Sequence, residues 1–210
     1  MNTAALDASL NFAVNAVIAA GRHASRRGWA PATAGNFSVR AGHMLAITRT
    51  GRDKGDLEPQ DVAVVSMDEP LGVDLSAEAA LHFSRYAADP KIGAVFHAHI
   101  PVAAVLGRYY VRERRLILQG WELQKAFEGV SSHLTPVCVP VFDNDQNIHA
   151  LAATVEQQLT RATDGVAAPG YLIAGHGVYA WGRTHKDALR HLEAFDMLLT
   201  QHLKWLELTK

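Results

Sequence analysis

The sequence of 210 residues has little of several features that mark large protein classes. Cys138 is its only cysteine, which excludes an internal disulfide and favours a reducing compartment. The formal net charge of −1 gives no basic excess of the kind that attracts nucleic acid or an anionic membrane. The sequence contains no apolar run long enough to cross a membrane, and its beginning lacks the basic and apolar segments of a secretory signal. We therefore expect a cytoplasmic protein whose partners include neither nucleic acid nor a membrane.

The glycine patterns that bind nucleotides are missing as well. Neither the phosphate-binding loop nor the dinucleotide fingerprint occurs, so no nucleotide cofactor is predicted. Hydrophobic residues make up 49% of the chain and charged residues 20%, which is ordinary for a globular protein. A chain of this length fits one domain, so we expect residues 1–210 to form a single domain with a large buried core.

Hydrophobic periodicity predicts long helices at both ends of the chain and short elements between them. Apolar residues at helical spacing predict an opening helix from Leu6 to about Arg27 and a closing helix that starts at Thr184. Ser76 is expected to N-cap a helix that ends near Asp89. The other predicted elements are short helices at Trp121–Phe127 and Ile148–Arg161 and strands at Phe37–Arg40, Met44–Thr48, Val62–Ser66, Gly93–His99, Thr135–Phe142, Tyr171–Ala174 and Val178–Trp181. Helices around a run of short strands predict a layered α/β domain.

A short helix is expected to begin at Pro101 and to end at Gly107. Some polar residues after this helix and within the closing helix are expected to have no catalytic role. The basic residues that follow the short helix are expected to form a solvated surface segment: Arg112, Arg114 and Arg115. Three histidines of the closing helix are expected to be polar positions outside its apolar face: His185, His191 and His202.

The feature that points to chemistry is a pair of histidines, His97 and His99, at the end of an apolar segment. Residues two apart on a strand face the same side, so both imidazoles can aim at one point. An isolated pair of this kind is more often an accident of an edge strand than a metal site. A third imidazole, His176, stands between two glycines where a strand pair is predicted to turn and the backbone can approach another group closely. Three imidazoles without a thiolate predict a catalytic metal site, with coordination positions left for water or substrate.

Two carboxylates are candidates for proton transfer, and the spacing of the residues does not choose between them. Glu78 lies in the predicted first turn of the helix after Ser76, where the helix dipole favours an anion. Glu122 lies between Trp121 and Leu123, and these apolar neighbours would raise its pKa if the segment were buried.

Short loops with free amides and hydroxyls could together bind a phosphate without a nucleotide motif. These loops are Gly35–Ser38 and Thr48–Gly51, together with the start of the helix at Ser76. Lys54 is near enough in sequence to add positive charge. Taken singly, each loop is an ordinary turn, and from the residues alone that interpretation is favoured.

Five segments occur in the order found in one known family. They read AGNFSVR (34–40), ITRTGRDKG (47–55), SAEAALH (76–82), HAH (97–99) and GHG (175–177). Through these segments, which span nearly the whole chain, the sequence resembles the class II aldolase/adducin family. Two further segments, ELQKAFEG (122–129) and VFDNDQ (141–146), resemble the dehydratases of that family more narrowly.

The resemblance implies a three-layer α/β/α fold with a mixed central sheet, and a homotetramer with its active sites near subunit contacts. It implies one Zn²⁺ per subunit, or another divalent metal, held by His97, His99 and His176. It implies that Glu122 is the catalytic acid–base residue and that Glu78 takes the position of the family's active-site glutamate. The implied substrate-binding residues are Glu78, Asn36, Thr50, Gly51 and Ser76, the last four at the phosphate of a small sugar phosphate.

The resemblance leaves three functions as expectations. The first is a metal-dependent hydro-lyase that removes water from a sugar phosphate. The second is an aldolase or 4-epimerase of the same family, although the sugar-phosphate aldolases use a tyrosine near the C-terminus and no tyrosine follows Tyr179 here. The third is a non-catalytic interaction module like the adducin head domain, which has no use for a costly cluster of polar groups. We expect the first, since the three imidazoles and both carboxylates are present.

Overall fold

The computed structural model describes residues 3–68, 74–160 and 165–209. These residues contain five α-helices: α1 Thr3–Arg26, α2 Ala79–Ala88, α3 Pro101–Tyr110, α4 Ile148–Leu159 and α5 His185–Leu208. They also contain nine strands: β1 Asn36–Ala41, β2 Met44–Thr48, β3 Val62–Ser66, β4 Ala94–Ala98, β5 Arg115–Leu118, β6 Val137–Phe142, β7 Val166–Ala167, β8 Gly170–Ile173 and β9 Gly177–Gly182. Short 3₁₀-helices lie at Pro31–Thr33, Pro59–Asp61 and Glu122–Ala126. None of the helices in the described ranges is both long and apolar enough to cross a membrane.

The strands of the described residues join one sheet. Its strand order is β3-β2-β1-β4-β9-β8-β6-β5, and β7 pairs with β6 beside this path. Strand β6 runs parallel to β7 and β8, whereas the other pairs are antiparallel. The expected mixed central sheet is therefore confirmed.

Helices cover both faces of the sheet, because the central strands bury apolar side chains on both sides. One core includes Leu106 of α3, Leu199 of α5 and Phe96 of β4. The other core includes Leu81 of α2 and Val95 of β4. Adjacent residues of β4 thus face opposite cores, as strand alternation requires. With α1, α3 and α5 on one face and α2 and α4 on the other, the expected three-layer α/β/α architecture is confirmed.

The start of the closing helix lies where the sequence predicts it. The Thr184 hydroxyl oxygen accepts a hydrogen bond from the backbone N–H of Asp187 at 3.1 Å. The Asp187 carboxylate in turn accepts one from the backbone N–H of Thr184 at 3.2 Å. This reciprocal pair satisfies two N–H groups that a helix end otherwise leaves without partners, so α5 begins at the next residue.

The predicted start of α2 is wrong by two residues. The helix begins at Ala79, and the residue at its N-cap position is Glu78 rather than Ser76. The Ser76 hydroxyl oxygen accepts a hydrogen bond from the backbone N–H of Glu78 at 3.3 Å, which forms a turn ahead of the helix. This turn sends the Glu78 side chain toward the histidines described below.

One of the two predictions for the segment after β4 is also wrong. Helix α3 continues through Gly107 to Tyr110, because Gly107 serves close packing instead of ending the helix. A Cβ at Gly107 would lie 3.1 Å from the Cα of Ala174, so only glycine lets α3 approach the end of β8 this closely. The other prediction is confirmed, because Arg112, Arg114 and Arg115 are all exposed where the chain enters the edge strand β5.

His191 is buried, contrary to the expectation that it lies outside the apolar face of α5. Its Nδ1 donates a hydrogen bond to the carbonyl oxygen of Trp181 at 2.7 Å, and its Nε2 accepts one from the backbone N–H of Glu128 at 3.3 Å. The ring therefore joins α5 to β9 and to the segment after the third 3₁₀-helix. Burial lowers the pKa of His191, and the hydrogen bond to Trp181 offsets only part of that effect.

We predict that His191→Leu lowers the melting temperature most at alkaline pH. The variant removes two part-buried hydrogen bonds to the backbone, a loss of about 1–3 kcal/mol. In the wild type the unfolded chain takes up a proton at the ordinary histidine pKa of 6.5, whereas the folded ring resists protonation. The wild type therefore becomes less stable as the pH drops below that pKa. The difference in melting temperature between the wild type and the variant should narrow from about pH 8 to pH 5.5.

The measurement is thermal unfolding followed by circular dichroism at both pH values. His149→Leu is the matched control, because His149 is exposed on α4. We expect this control to follow the wild type at both pH values. A gap for His191→Leu that stays constant or widens toward acid would contradict the role assigned to the ring.

Candidate active site

The three histidines singled out in the sequence converge in the structure, and Glu78 joins them. One candidate ligand atom from each of Glu78, His97, His99 and His176 lies within 4.8 Å of the others. The Nε2 atom of His176 is 3.2 Å from Nε2 of His97 and 3.0 Å from Nε2 of His99. The Glu78 carboxylate lies 3.0 Å from Nε2 of His176 and 3.7 Å from Nε2 of His97.

Strand geometry places two of the imidazoles. His97 lies in β4 and His99 directly follows it, so their side chains share one face of the sheet. This is the face covered by α2 and α4, because the His97 ring stacks on Tyr179 of the same core with ring centroids 4.2 Å apart. The cluster thus lies at the end of β4 and beneath the start of α2.

Glycines bring the third imidazole to the other two. Gly175 has a φ of +65°, which favours glycine in the turn between β8 and β9. A Cβ at Gly177 would overlap the carbonyl group of Ala98 on the neighbouring strand. The expectation that glycines on both sides of His176 permit a close backbone approach is confirmed.

The donor set of the cluster fits a divalent metal ion. Nδ1 of His97 donates a hydrogen bond to the carbonyl oxygen of Val178 at 3.0 Å, so Nε2 of the neutral ring carries a lone pair. Burial lowers the pKa of both His97 and His99, which keeps these imidazoles neutral. Two nitrogen ligands of a tetrahedral zinc ion lie roughly 3.3 Å apart, as follows from zinc–nitrogen bonds of about 2.0–2.1 Å. The observed separations of 3.0 and 3.2 Å are close to that value.

The carboxylate of Glu78 is held in its ionised form. Burial by itself would raise the pKa of Glu78, but the hydrogen bond with His176, the electrostatic interactions with His97 and His176 and the hydrogen bond from Asn36 lower it overall. The Asn36 side chain donates its hydrogen bond to Oε2 of Glu78 at 2.6 Å. The cluster therefore presents one anionic oxygen ligand beside three nitrogen ligands.

A cavity of about 420 Å³ opens beside His99 and Glu78. Its lining contains every residue that the family resemblance assigns to the substrate: Asn36, Thr50, Gly51, Ser76 and Glu78. The loops singled out as separate turns thus come together at one site. Arg49 and Lys54 line the same cavity and add positive charge, so its wall suits a small anionic ligand.

Lys54 is nearly fully buried in the wall of this cavity. Its Nζ donates hydrogen bonds to the carbonyl oxygens of Thr33 and Arg52 at 2.6 and 2.7 Å. Burial lowers the pKa of Lys54 to about 8, and the charges of Asp53 and Glu78 limit the shift. The two carbonyl groups hold the ammonium in place beside the cavity.

The structure does not bring Glu122 to the histidines of its own chain. Glu122 begins the 3₁₀-helix after the edge strand β5, and its side chain is 74% exposed. Strand β5 is four strands from β4 in the sheet, a separation of about 19 Å at the usual strand spacing. The 3₁₀-helix also packs against α5, on the face of the sheet opposite to the cluster.

The expectation that apolar neighbours raise the pKa of Glu122 is wrong for the single chain. The carboxylate accepts a hydrogen bond from Nζ of Lys125 at 2.6 Å and lies 3.6 Å from Nδ1 of His133. The bond to Lys125 lowers the pKa of Glu122. The expected burial does not occur because Glu122 lies at the edge of the sheet, where its side chain faces solvent while Trp121 packs against the core. Its catalytic role remains a prediction.

Sequence reasoning missed the buried residues behind Glu78. His82 and Tyr86 follow Glu78 at intervals of one helical turn, and both contact Ser38 of β1. His82 also bonds the amide oxygen of Asn36. The signal for them is the spacing of four residues from Glu78 to His82 to Tyr86, which places the three polar side chains on one face of the helix.

Known proteins resemble this chain over most of its length. The family profile described as "Class II Aldolase and Adducin N-terminal domain" matches residues 15–203. The chain is 54% identical over 200 residues to a methylthioribulose-1-phosphate dehydratase of Bradyrhizobium sp. (strain BTAi1), with 94% of this chain and 93% of that protein covered. It is 46% identical over 192 residues to a protein of the same name from Parvibaculum lavamentivorans, with 91% and 93% covered.

The fold also resembles solved structures. A crystal structure of L-fuculose-1-phosphate aldolase from Thermus thermophilus superposes with a TM-score of 0.74 at 26% sequence identity. The match covers 93% of this chain and 95% of that chain. The three-layer architecture is therefore shared with an aldolase as well as expected for a dehydratase.

We predict that the purified protein binds one divalent metal ion per chain and that His97→Ala and His99→Ala each lose it. Removing one of three converging imidazoles leaves too few nitrogen ligands for a stable site. Metal content is measured by inductively coupled plasma mass spectrometry, and thermal unfolding checks that each variant folds. His43→Ala, at an exposed position between β1 and β2, serves as the control and should keep its metal. Full occupancy in a folded His97→Ala or His99→Ala variant would show that the ligand assignment is wrong.

Proposed function

The chain belongs to the class II aldolase and adducin family, and within it we propose that the chain removes water from 5-methylthioribulose 1-phosphate. The product would be 2,3-diketo-5-methylthiopentyl 1-phosphate, which places the reaction in methionine salvage. The observation that carries this proposal is the identity of 54% over 200 residues with a methylthioribulose-1-phosphate dehydratase. The site supports it, since a metal-type cluster and a cationic, hydroxyl-lined cavity suit a small sugar phosphate. We further propose a cytoplasmic location, because the cytoplasm is reducing and keeps a thiol such as that of Cys138 reduced.

His97, His99 and His176 would hold the metal, for which we propose zinc, with Glu78 beside them as a further oxygen ligand or a partner of the substrate. Three imidazoles and a carboxylate suit zinc and also other divalent ions of the first transition series. When bound, such an ion polarises the C2 carbonyl of the substrate and so acidifies the proton on C3. The neutral state of His97 and His99 favours this binding, since no proton has to leave the rings first.

We assign the proton transfer to Glu122. Because Lys125 lowers its pKa, the carboxylate is ionised and starts as the base. It takes the proton from C3, and the electron pair of that bond forms the enediolate with C2. As the bond between C4 and its oxygen breaks, the protonated carboxyl returns the proton to the departing hydroxyl, and water leaves. The enol that results becomes the diketone.

The position of Glu122 implies that it serves another subunit. On its own chain it is on the opposite face of the sheet from the histidines, at the far edge. A homotetramer with active sites at subunit contacts, which the family resemblance implies, would place the exposed 3₁₀-helix of one subunit against the cavity of the next. Such a contact would also exclude water from Glu122 and from the reacting carbons.

The phosphate of the substrate is assigned to the loops that line the cavity. Thr50 and Ser76 offer hydroxyl groups, and Gly51 has a φ of +69° that turns the backbone at this point. Lys54 and Arg49 supply the positive charge that a phosphate dianion needs. Binding at this non-reacting end orients the carbonyl toward the histidines.

The second candidate function is that of a sugar-phosphate aldolase or 4-epimerase. It is favoured by the fold shared with the L-fuculose-1-phosphate aldolase of Thermus thermophilus. It is opposed by the C-terminal segment, in which no tyrosine follows Tyr179. Tyr179 itself is buried and stacked on His97, so it is not free to reach a substrate. A non-catalytic adducin-like role is opposed by the buried polar cluster, whose burial costs stability and gains nothing for a scaffold.

The decisive experiment is product analysis by mass spectrometry after incubation with 5-methylthioribulose 1-phosphate. A product lighter by one water supports the dehydratase. Two fragments from cleavage between C3 and C4 would establish the aldolase. An epimer of unchanged mass, separated by chromatography, would establish the epimerase.

We predict that Glu122→Gln lowers kcat by at least about a hundredfold, because general acid–base help is worth about a hundred- to ten-thousand-fold. The amide keeps the volume of the side chain and cannot take up a proton. Metal content and melting temperature should stay at wild-type values. Glu113→Gln, another exposed glutamate near the same edge, is the control and should retain full activity. A near wild-type Glu122→Gln, together with a large loss in Glu78→Gln, would transfer the role to Glu78.

We predict that Lys54→Met raises KM for the substrate by roughly tenfold or more, because a hydrogen bond to a charged group is worth about 1.5–3 kcal/mol. In the wild type, KM should rise above about pH 8, where Lys54 with a pKa of about 8 loses its charge. The variant should lack this rise. Lys91→Met, at an exposed position, is the control. An unchanged KM in Lys54→Met would remove the residue from the phosphate site.

A further inference from the structure

A chain of buried polar side chains runs from the cluster into the space between α2 and β1. The α2 side contributes Glu78, His82 and Tyr86, which are one helical turn apart and face the same direction. The β1 side contributes Asn36 and Ser38, which are two residues apart and face the same side of the sheet. Every member behind Glu78 is buried, so each must find its hydrogen-bond partner within this chain.

The chemistry of the groups determines the direction of each hydrogen bond. An ionised Glu78 carboxylate only accepts, so the NH₂ group of Asn36 must face it, at 2.6 Å. The amide oxygen of Asn36 then faces Nε2 of His82, and that nitrogen must carry the proton. Burial lowers the pKa of His82 to about 3, so the ring is neutral and has one N–H only.

The other ring nitrogen of His82, Nδ1, also has a hydrogen-bond partner. Nδ1 lies 2.7 Å from the hydroxyl of Ser38 and accepts its hydrogen bond, because the single N–H of the ring is already on Nε2. The hydroxyl of Tyr86 lies 2.9 Å from the Ser38 hydroxyl oxygen and 3.0 Å from the Ser38 carbonyl oxygen, and its one proton is donated toward these two acceptors. One arrangement of protons therefore gives both ring nitrogens of His82 a partner.

We propose that His82 is a positioning residue for the metal centre: it holds the amide of Asn36 in one orientation and thereby holds the Glu78 carboxylate against His97 and His176. The carboxamide of Asn36 then acts on Glu78 and is not free to turn toward a substrate phosphate. The inference rests on the metal centre of the proposed function and not on the choice of substrate. Outer partners of this kind are worth about tenfold to a hundredfold in metal affinity.

The test compares the metal affinity of the full-length wild type, His82→Leu and His82→Gln. Zn²⁺ affinity is measured by competition with a chromophoric chelator, and the absorption spectrum of Co²⁺ reports the geometry of the ligands. We expect His82→Leu to bind Zn²⁺ about tenfold to a hundredfold more weakly. Its Co²⁺ spectrum should move toward that of Glu78→Gln. Since glutamine offers an N–H in place of Nε2, His82→Gln should recover most of the affinity and the wild-type spectrum.

Further variants separate positioning from simple damage to the core. If His82 acts through Asn36, adding His82→Leu to Asn36→Leu should cause no further loss of affinity. Tyr86→Phe removes a buried hydroxyl but leaves the Ser38 hydroxyl to hold Nδ1, so it should lower the melting temperature without changing Zn²⁺ affinity. If His82→Leu does not fold, Ser38→Ala takes its place, since it releases Nδ1 and should weaken Zn²⁺ binding in the same direction.

Three results would overturn the proposal. The first is wild-type Zn²⁺ affinity in folded His82→Leu or, if that variant does not fold, in Ser38→Ala. The second is a Zn²⁺ affinity of His82→Gln as low as that of His82→Leu. The third is a loss of Zn²⁺ affinity in the double variant that equals the sum of the losses in His82→Leu and Asn36→Leu. Each of these measurements uses metal alone, so they remain independent of the product analysis. A failure of the dehydratase assay would leave the positioning role intact, and the reverse also holds.

Discussion

The structure depends on the convergence of three imidazoles and one carboxylate at the end of β4. Four polar groups placed within 4.8 Å of one another, partly out of water, are a cost to folding unless a cation or a full set of hydrogen bonds compensates them. The central strands β4 and β9 supply His97 and the turn of His176, and the glycines beside His176 let the two backbones touch.

The two faces of the sheet have different roles. The face under α1, α3 and α5 is an apolar core that includes Phe96, and it provides stability through buried area. The face under α2 carries the polar stripe of Glu78, His82 and Tyr86 within a second core. Because strand alternation assigns neighbouring residues to opposite faces, a single strand such as β4 serves both purposes.

Glu122 lies at an exposed edge of the single chain. A side chain that is 74% exposed and paired with Lys125 has the chemistry of a surface group. The same exposure makes it available to another chain, since nothing on its own subunit covers it within the described residues. Edge strand β5 and the 3₁₀-helix after it combine this carboxylate with apolar groups such as Ile117 and Leu123, which are partly open to solvent. An edge of this kind suits contact with a second surface better than contact with water.

Local interactions explain what the sequence determined by itself. The alternation that aims His97 and His99 to one side is a property of any strand, and the reciprocal bonds of Thr184 and Asp187 involve residues three apart. The glycines beside His176 are likewise recognisable in the sequence, because glycine readily adopts the positive φ of this turn and leaves room for the close approach of the Ala98 backbone. Each of these features depends on neighbours in the chain, so each was predictable, and the order of the elements predicted a layered α/β domain, to which the family resemblance added the three layers.

Tertiary structure decided the rest, because the deciding contacts join residues far apart in sequence. Glu78 reads as a helix-terminus acid, and only the packing of α2 on β1 turns it into a partner of His176. His191 reads as a surface position, and only its bonds to Trp181 and Glu128 bury it. Gly107 reads as a helix end, and only the approach of the β8 end gives it a packing role. Spacing within one element specifies which way a side chain points, whereas the group it meets depends on which other element packs there, and that is set by the burial of the whole core.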